Sequence, residues 1–247
     1  MEKTIWDVGV RTLRLCMHEH YEDCPWREQA LYANDSRIQM LAGYFAFDSD
    51  NKMPELALEL LSRGIDEKGW IELCMPAKIG LAIPSFTFSW VLALGDHVKY
   101  RRDAEFIRSM MPALRNVMCK REGELVDGLL PCPRGRRYWQ FYDWADAIPE
   151  DGRAGVVKKL SAPSDWTQAS LSQSLYKFEA LRLAGEESER AMWKEMENTW
   201  SAMLDAGATS FWEVSEGWKA FGGAGSLCHG WSAVPVYFYG ASHPHSR

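Results

Sequence analysis

Residues 53–64, MPELALELLSRG, decide the fold class, because they carry the start and stop signals of a helix. Pro54 stands in the first turn, where a backbone without an N–H group loses no hydrogen bond. Gly64 follows the last apolar residue, at the position where helices commonly end. The segment therefore predicts a short helix.

Apolar residues also recur with the spacing of a helix on both sides of this segment. Residues 4–19 place Ile5, Val8, Thr12, Leu13 and Cys16 on one stripe, and residues 36–48 repeat it with Ile38, Leu41, Ala42 and Phe45. Further helices are expected at about 85–94 closed by Gly95, 101–120 with a kink or restart at Pro112, 164–185, 187–205, and 226–240 interrupted by Pro235. The chain thus predicts eight helices, separated by two long irregular stretches at 65–83 and 124–163.

No segment shows an alternation of strands and helices, a glycine-rich phosphate loop or a strict internal repeat. Successive helices with short connections and longer functional loops indicate an all-α fold, arranged as a toroid of α-hairpins. We expect one domain over residues 1–240 and a loose C-terminal tail over 241–247. At 247 residues and 47% hydrophobic content, the chain is long enough to bury a sizeable core.

The composition disfavours several classes of protein. A net charge of −6 argues against a nucleic-acid partner, since phosphate binding needs concentrated lysine and arginine. The six cysteines contain no CxxC pair, so a disulfide scaffold or a zinc ribbon is not expected. The sequence also contains twelve tryptophans, and such enrichment is found at interfaces and in sugar-stacking clefts as well as in cores.

No secretory signal and no apolar run of 18 residues is visible, so we expect a cytoplasmic protein that does not contact a membrane. His18 and His20 lie two positions apart on a helix and point to different sides, while His243 and His245 lie in the tail. We therefore predict neither a metal site nor a cofactor. The oligomeric state stays open.

Residues 22–35, EDCPWREQALYAND, crowd four carboxylates around Arg27. Local explanations exist, because Asp35 could cap the helix that begins near residue 36 and Arg27 could pair with a neighbouring carboxylate at the surface. Together, however, the residues offer the chemistry of a glycosidase. One carboxylic acid protonates the leaving oxygen, while other carboxylates and an arginine hold sugar hydroxyls. Trp26 and Tyr32 would not be needed in a merely solvated acidic loop.

Three later segments offer partners for this first loop. Glu213 lies among aromatic residues in ATSFWEVSEGW (208–218), directly after Trp212, and is either an exposed loop glutamate or the second carboxylate of a glycosidase. The segment YWQFYDWAD (138–146) suits either loop packing or stacking on a sugar face, and it contains Trp139, Asp143 and Trp144. His229, in CHGW (228–231), is either structural or part of the site.

These segments, in this order, resemble the catalytic domain of the bacterial α-L-rhamnosidases, glycoside hydrolase family 78. The family's Asp-Cys-Pro-x-Arg signature, followed by an acidic residue and a further Asp, is similar to DCPWREQALYAND (23–35). Its Asp-Trp and Trp-Glu motifs resemble Asp143–Trp144 and Trp212–Glu213, and its closing Ser-Leu-x-His-Gly-Trp resembles residues 226–231. The resemblance covers about residues 5–239 and implies a six-hairpin (α/α)₆ toroid.

The resemblance also implies roles for single residues. Glu28 would be the general acid, and Glu213 the base that activates water in an inverting release of terminal rhamnose. Asp23, Arg27 and Asp35 would bind rhamnose hydroxyls or tune Glu28. The remaining candidate substrate-binding residues are Tyr32, Trp139, Asp143, Trp144, Trp212 and His229. The expected partner is a carbohydrate substrate.

Two departures from the family pattern keep alternatives open. A full barrel has twelve helices whereas eight are predicted, so short helices are hidden in the irregular stretches or hairpins are missing. The accessory β-sandwich domains usual in the family are absent. The alternatives are a catalytically impaired carbohydrate-binding remnant of such a domain, or a six-hairpin glycosidase for another sugar or for uronic acids.

Overall fold

The computed structural model describes residues 1–141 and 170–242. Within these ranges there are eight α-helices and isolated β-bridges but no strand. The helices are α1 (Glu2–Leu15), α2 (Ala33–Ala46), α3 (Met53–Ser62), α4 (Pro84–Arg101), α5 (Ala104–Gly123), α6 (Ser174–Leu183), α7 (Glu186–Asp205) and α8 (Val234–Ser242). The predicted all-α class is confirmed.

Helix α4 is longer than predicted, and the expectation that Gly95 closes it is wrong. The helix continues to Arg101 and ends at Arg102, which adopts a left-handed conformation with φ 55°. Both Leu94 and His97 are buried, so residues on either side of Gly95 pack into the interior. Burial of this face outweighs the weak helix preference of one glycine.

Helix α5 runs through Pro112, so the helix does not restart there. It begins at Ala104 because the side chain of Asp103 accepts a hydrogen bond from the backbone N–H of Phe106 and caps the first turn. The last helix starts later than expected, at Val234, and Pro235 lies in its first turn. Residues 230–233 form a short 3₁₀ turn, and His229 precedes that turn.

Helix α2 lies at the centre of the fold. It packs against α1, α3, α4 and α8. Ile38 and Leu41 join a core with α1, α6, α7 and α8, whereas Met40 joins a second core with α3, α4 and the irregular stretch after α3. Ten of the eleven residues from Ala33 to Gly43 in α2 are buried, which explains why this helix carries few charges.

Four irregular stretches approach the N-terminal end of α2. The segment after α1 is joined to the stretch after α3 by a bridge between Leu31 and Met75. The stretch after α3 is joined in turn to residues 135–141, because the N–H of Ala82 donates to the carbonyl of Arg137 at 2.8 Å. The segment after α7 contacts the segment after α1, since the N–H of Gly230 donates to the carbonyl of Asp23 at 2.7 Å.

Within the described ranges, no helix is both long and apolar enough to cross a membrane.

Candidate active site

The irregular stretches enclose a pocket of about 150 Å³ beside the start of α2. The residues that line it are Asp23, Glu28, Tyr32, Asp35, Leu73, Ile83, Phe86, Trp139, Phe141, Glu213, His229 and Trp231. Seven of the eleven residues proposed from the sequence thus meet in one cavity. The pocket is smaller than the roughly 300–1,000 Å³ sites of drug-sized ligands, so its size suits a single small ring.

Two walls of the pocket are formed by the segment after α1 (16–32) and the segment after α7 (206–233), and Asp23 connects them because its carbonyl accepts from the N–H of Gly230. Its Oδ1 accepts a hydrogen bond from the N–H of Ala30 at 2.8 Å, which closes the first loop on itself. Its Oδ2 is buried and accepts no hydrogen bond from the described part of the chain. A buried acceptor without a partner costs free energy, so this oxygen is available to a ligand hydroxyl.

Asp35 and His229 lie beside Asp23. Asp35 is in the first turn of α2 but does not cap it, because the N-cap is Tyr32 and no side chain caps that end. Nε2 of His229 lies 3.8 Å from Oδ2 of Asp23 and 4.0 Å from Oδ1 of Asp35. The imidazole stacks on Trp231 with ring centroids 3.8 Å apart, and its Nδ1 has no hydrogen-bond partner among the described residues.

Burial is the main cause of the shifted pKa values of the trio Asp23, Asp35 and His229. Desolvation raises the pKa of Asp23 to about 7, and interaction with Glu28 adds to the rise. Desolvation and the charge of Asp23 raise the pKa of Asp35 well above its usual value. Desolvation and the charge of Arg27 lower the pKa of His229 well below its usual value. Near neutral pH the trio therefore offers a neutral imidazole and carboxyl groups that can donate as well as accept.

Glu213 is fixed in the opposite wall. The backbone N–H of Glu213 donates to the carbonyl of Ser226 at 2.9 Å, and the carbonyl of Glu213 accepts from Nε1 of Trp231 at 2.9 Å. Its Oε2 accepts from the N–H of Ser226 at 3.1 Å. Only 3% of the side chain is exposed. The carboxylate is therefore held in one orientation at the pocket.

Arg27 binds both oxygens of Glu213, with Nη2 2.9 Å from Oε1 and 2.7 Å from Oε2. The nearest oxygen of Glu28 is farther from the same nitrogen, at 3.9 Å. Arg27 does not line the pocket itself. The sequence placed Arg27 at the sugar or beside Glu28 and did not indicate this contact.

Glu28 lines the same pocket as Glu213 but in a more open position. Of its side chain, 44% is exposed. Tyr32, whose pKa rises because it is buried and lies near Glu28, stands next to it in the lining. The two glutamates therefore differ in setting, one at the solvent side of the pocket and the other buried in its wall.

The other proposed residues divide into three groups. Tyr32 and Trp139 line the pocket. Trp212 lines a separate groove together with Trp218. Asp143 and Trp144 lie outside the described residues.

The sequence analysis missed the apolar part of the lining. Leu73, Ile83 and Phe86 come from the irregular stretch after α3 and the start of α4, and Phe141 follows Trp139. Apolar residues in such stretches have the same pattern as ordinary core residues, so no local signal marks them. Trp231 also lines the pocket; it belongs to the motif at residues 226–231, but the sequence does not predict it as a site residue.

Comparison with known proteins gives independent information on the family. No curated protein matches the chain. A solved GH78 family rhamnosidase of Bacillus sp. GL1 has a TM-score of 0.80 and 21% identity over 98% of this chain. A rhamnosidase from Klebsiella oxytoca with rhamnose bound has a TM-score of 0.66 and 18% identity over 96% of this chain. At these identities the likeness shows the fold alone, which supports the predicted six-hairpin toroid.

The chain spans 35% of the length of the Bacillus protein and 63% of that of the Klebsiella protein. The family model that matches residues 1–162 describes the bacterial alpha-L-rhamnosidase six-hairpin glycosidase domain. This match covers the first acidic loop, helix α2 and Trp139, and it includes more than half of the chain. The chain therefore belongs to the bacterial alpha-L-rhamnosidase six-hairpin glycosidase family.

Proposed function

We propose that the protein is an inverting glycoside hydrolase that releases terminal rhamnose from α-L-rhamnosides. The observation that carries this proposal is that Glu28 and Glu213 line one small pocket, although the chain separates their loops by most of its length. Glycoside hydrolysis needs two carboxyl groups on either side of the scissile bond. The buried Asp23, Asp35 and His229 beside them provide groups for sugar hydroxyls.

The lining favours a neutral sugar with an apolar corner. Among the described lining residues none is lysine or arginine, so the lining offers no cation to bind the carboxylate of a uronic acid. Leu73, Ile83 and Phe86 offer an apolar surface, which suits the C6 methyl group of a 6-deoxy sugar such as rhamnose. Trp139 and Trp231 add ring faces on which a sugar can stack.

The two glutamates take different roles in the proposed reaction. Glu28, at the solvent side, donates a proton to the glycosidic oxygen as the bond to the leaving group breaks. Glu213, buried in the wall, removes a proton from the water that attacks the anomeric carbon from the opposite face. The leaving group then departs toward solvent, and the sugar stays in the pocket until release.

Hydrogen bonding indicates which oxygen of Glu213 acts as the base. A carboxylate oxygen has about two acceptor positions. Oε2 accepts from both Arg27 and the N–H of Ser226, whereas Oε1 accepts from Arg27 alone. Oε1 therefore retains an acceptor position for the attacking water. In this proposal Arg27 is a positioning residue that keeps the carboxylate of Glu213 oriented.

The same contact favours one alternative function. A carboxylate that is bound by arginine through both oxygens has fewer acceptor positions left for an attacking water. The alternative is a carbohydrate-binding protein that holds the sugar through Asp23, Asp35 and His229 without turnover. In that case Arg27 and Glu213 form a structural ion pair between two loops.

The test is a panel of nitrophenyl glycosides, with sugar binding measured in parallel by calorimetry. We expect turnover of the α-L-rhamnoside and none of the corresponding glucuronide. Glu213→Gln should abolish turnover and keep rhamnose binding, because the amide retains the size of the side chain. Binding without turnover by the unmodified protein would support the alternative, and turnover of a different sugar alone would contradict the assignment to rhamnose.

A further inference from the structure

We propose that Cys16 and Cys228 form a reversible disulfide that joins the two walls of the pocket when a small-molecule disulfide oxidises the protein. The two sulfur atoms lie 3.8 Å apart, although the residues are 212 positions apart in the chain. Both cysteines are reduced in the structure. The proposal does not depend on which sugar the pocket binds or on whether the protein is an active hydrolase.

The pair lies at the junction of the two loops that carry the acidic residues. Cys16 ends α1, and its sulfur is 3.8 Å from the carbonyl of Asp23. Cys228 follows Ser226, whose N–H binds Glu213, and its carbonyl accepts a hydrogen bond from the hydroxyl of Ser226 at 2.8 Å. A covalent bond between these cysteines would therefore connect the Asp23 loop with the Glu213 loop.

The two thiols differ in access and in acidity. Cys16 is fully buried, whereas Cys228 is partly exposed. A hydrogen bond from Cys16 lowers the pKa of Cys228, and Ser210 and Arg11 lower it further. The thiolate is the reactive form of cysteine, so Cys228 is the thiol that meets an external oxidant first.

The chemistry balances as two successive thiol–disulfide exchanges. Cys228 loses a proton and attacks one sulfur of the oxidant, for example oxidised glutathione, and one small thiolate leaves. Cys16 then loses a proton and attacks Cys228 in the mixed disulfide, and the second small thiolate leaves. Each thiolate takes up one proton, so two protein thiols are oxidised while one disulfide is reduced to two thiols.

The second exchange is favoured by the first. The neighbouring Cys228, through its hydrogen bond and its charge, is a main cause of the strongly raised pKa of Cys16. Once Cys228 is part of a mixed disulfide, it carries no charge, and this cause disappears. Closing the bond requires the sulfurs to approach from 3.8 Å to about 2.05 Å.

Mass spectrometry of the intact chain tests the proposal directly. The purified protein is incubated with oxidised glutathione, its free thiols are blocked with N-ethylmaleimide, and it is digested without reduction. We expect a product that has lost two hydrogen atoms and a crosslinked pair of peptides that contain Cys16 and Cys228. A tryptic peptide also contains Cys24, so a protease that cuts after Glu19 and Glu22 separates the two candidates.

Thermal unfolding supplies the second readout. A crosslink between distant positions restricts the unfolded chain, so oxidation should raise Tm by roughly 5–10 °C, and dithiothreitol should reverse the rise. C228S and C16S should each lose the rise, whereas the matched control C119S, which removes an exposed thiol elsewhere, should keep it. No crosslinked pair in the oxidised wild type, a bond from Cys24 to Cys228, or a rise that persists in C228S would overturn the proposal.

Discussion

Glu28 and Glu213 face the same pocket but differ in exposure, with 44% and 3% of their side chains accessible. This difference leads to a prediction about leaving groups. Glu28→Ala should slow cleavage of a natural rhamnosyl disaccharide by roughly 10²–10⁴, because a poor leaving group needs a proton donor. The same variant should lose far less activity on a nitrophenyl rhamnoside, whose leaving oxygen needs little protonation. Steady-state kinetics on the two substrates measures the contrast.

Glu213→Ala is the matched comparison for this experiment. A base acts on the attacking water whichever group leaves, so this variant should be impaired to a similar degree on both substrates. If both variants lost activity equally and independently of the leaving group, Glu28 would not be the general acid.

Asp23 leads to a prediction about stability and pH. Its pKa is raised to about 7 in the folded protein, against about 3.9 for an unperturbed aspartate. The folded state thus binds the proton more tightly, and this contribution to stability is present below pH 4 and is lost as pH rises through 7. As this contribution is lost, we expect the free energy of unfolding to fall by about 2–3 kcal/mol between pH 5 and pH 8.

Asp23→Asn removes the titration while it keeps an oxygen for the N–H of Ala30. Urea unfolding at pH 5 and pH 8 should show a smaller loss of stability in this variant than in the wild type. Asp35 has a shift in the same direction, so part of the wild-type slope should remain. Equal slopes in the two proteins would show that Asp23 is not titrating in this range.

The sequence identified most of the charged residues of the candidate site but not their pairings. Asp23, Glu28 and Asp35 were grouped because they lie within one loop, and the structure places all three in the pocket lining. The pairing of Arg27 with Glu213 joins residues 186 positions apart. Local spacing carries no information on such a contact, since it depends on how two loops meet in the folded chain.

At the level of secondary-structure elements, two glycines give opposite predictions. An added Cβ at Gly95, within α4, would meet nothing within 4 Å. Gly95→Ala should therefore stabilise the protein by about 0.5–1 kcal/mol, because alanine is the better helix former. Chemical denaturation of this variant against the wild type measures the gain.

Gly230 lies where the loop before α8 touches α2. An added Cβ would come within 2.1 Å of Nε2 of Gln39, a fully buried side chain that donates to the carbonyl of Glu22 at 2.9 Å. Gly230→Ala should destabilise the protein by about 1–3 kcal/mol, since Gln39 has no free space in which to move. A destabilised Gly95→Ala or an unaffected Gly230→Ala would contradict these packing assignments.

Helix positions were predictable where one face is apolar and the ends carry clear signals, as in α3. The end of α4 was missed because Gly95 has the sequence pattern of a stop signal, while burial of Leu94 and His97 extends the helix. The start of α8 was missed for a related reason. The predicted helix included residues 226–229, but in the structure the N–H of Ser226 binds Glu213, and His229 lies 3.8 Å from Asp23.

For the whole molecule, the sequence supported the all-α class and the order of the helices, and the structure agrees with both within the described residues. Helical periodicity is a local property, so it can be recognised in the sequence without any knowledge of packing. The sequence did not specify the two cores that meet at α2, because residues from distant helices contribute to each.

We propose that Glu28 and Glu213 carry out an inverting hydrolysis in the shared pocket. Proton NMR, recorded immediately after the protein is mixed with an aryl α-L-rhamnoside, identifies the anomer released before mutarotation. Inversion requires β-L-rhamnose as the first product, as expected for carboxyl groups roughly 6.5–9.5 Å apart with a water between them. First release of the α-anomer, or no release of rhamnose, would contradict the claim.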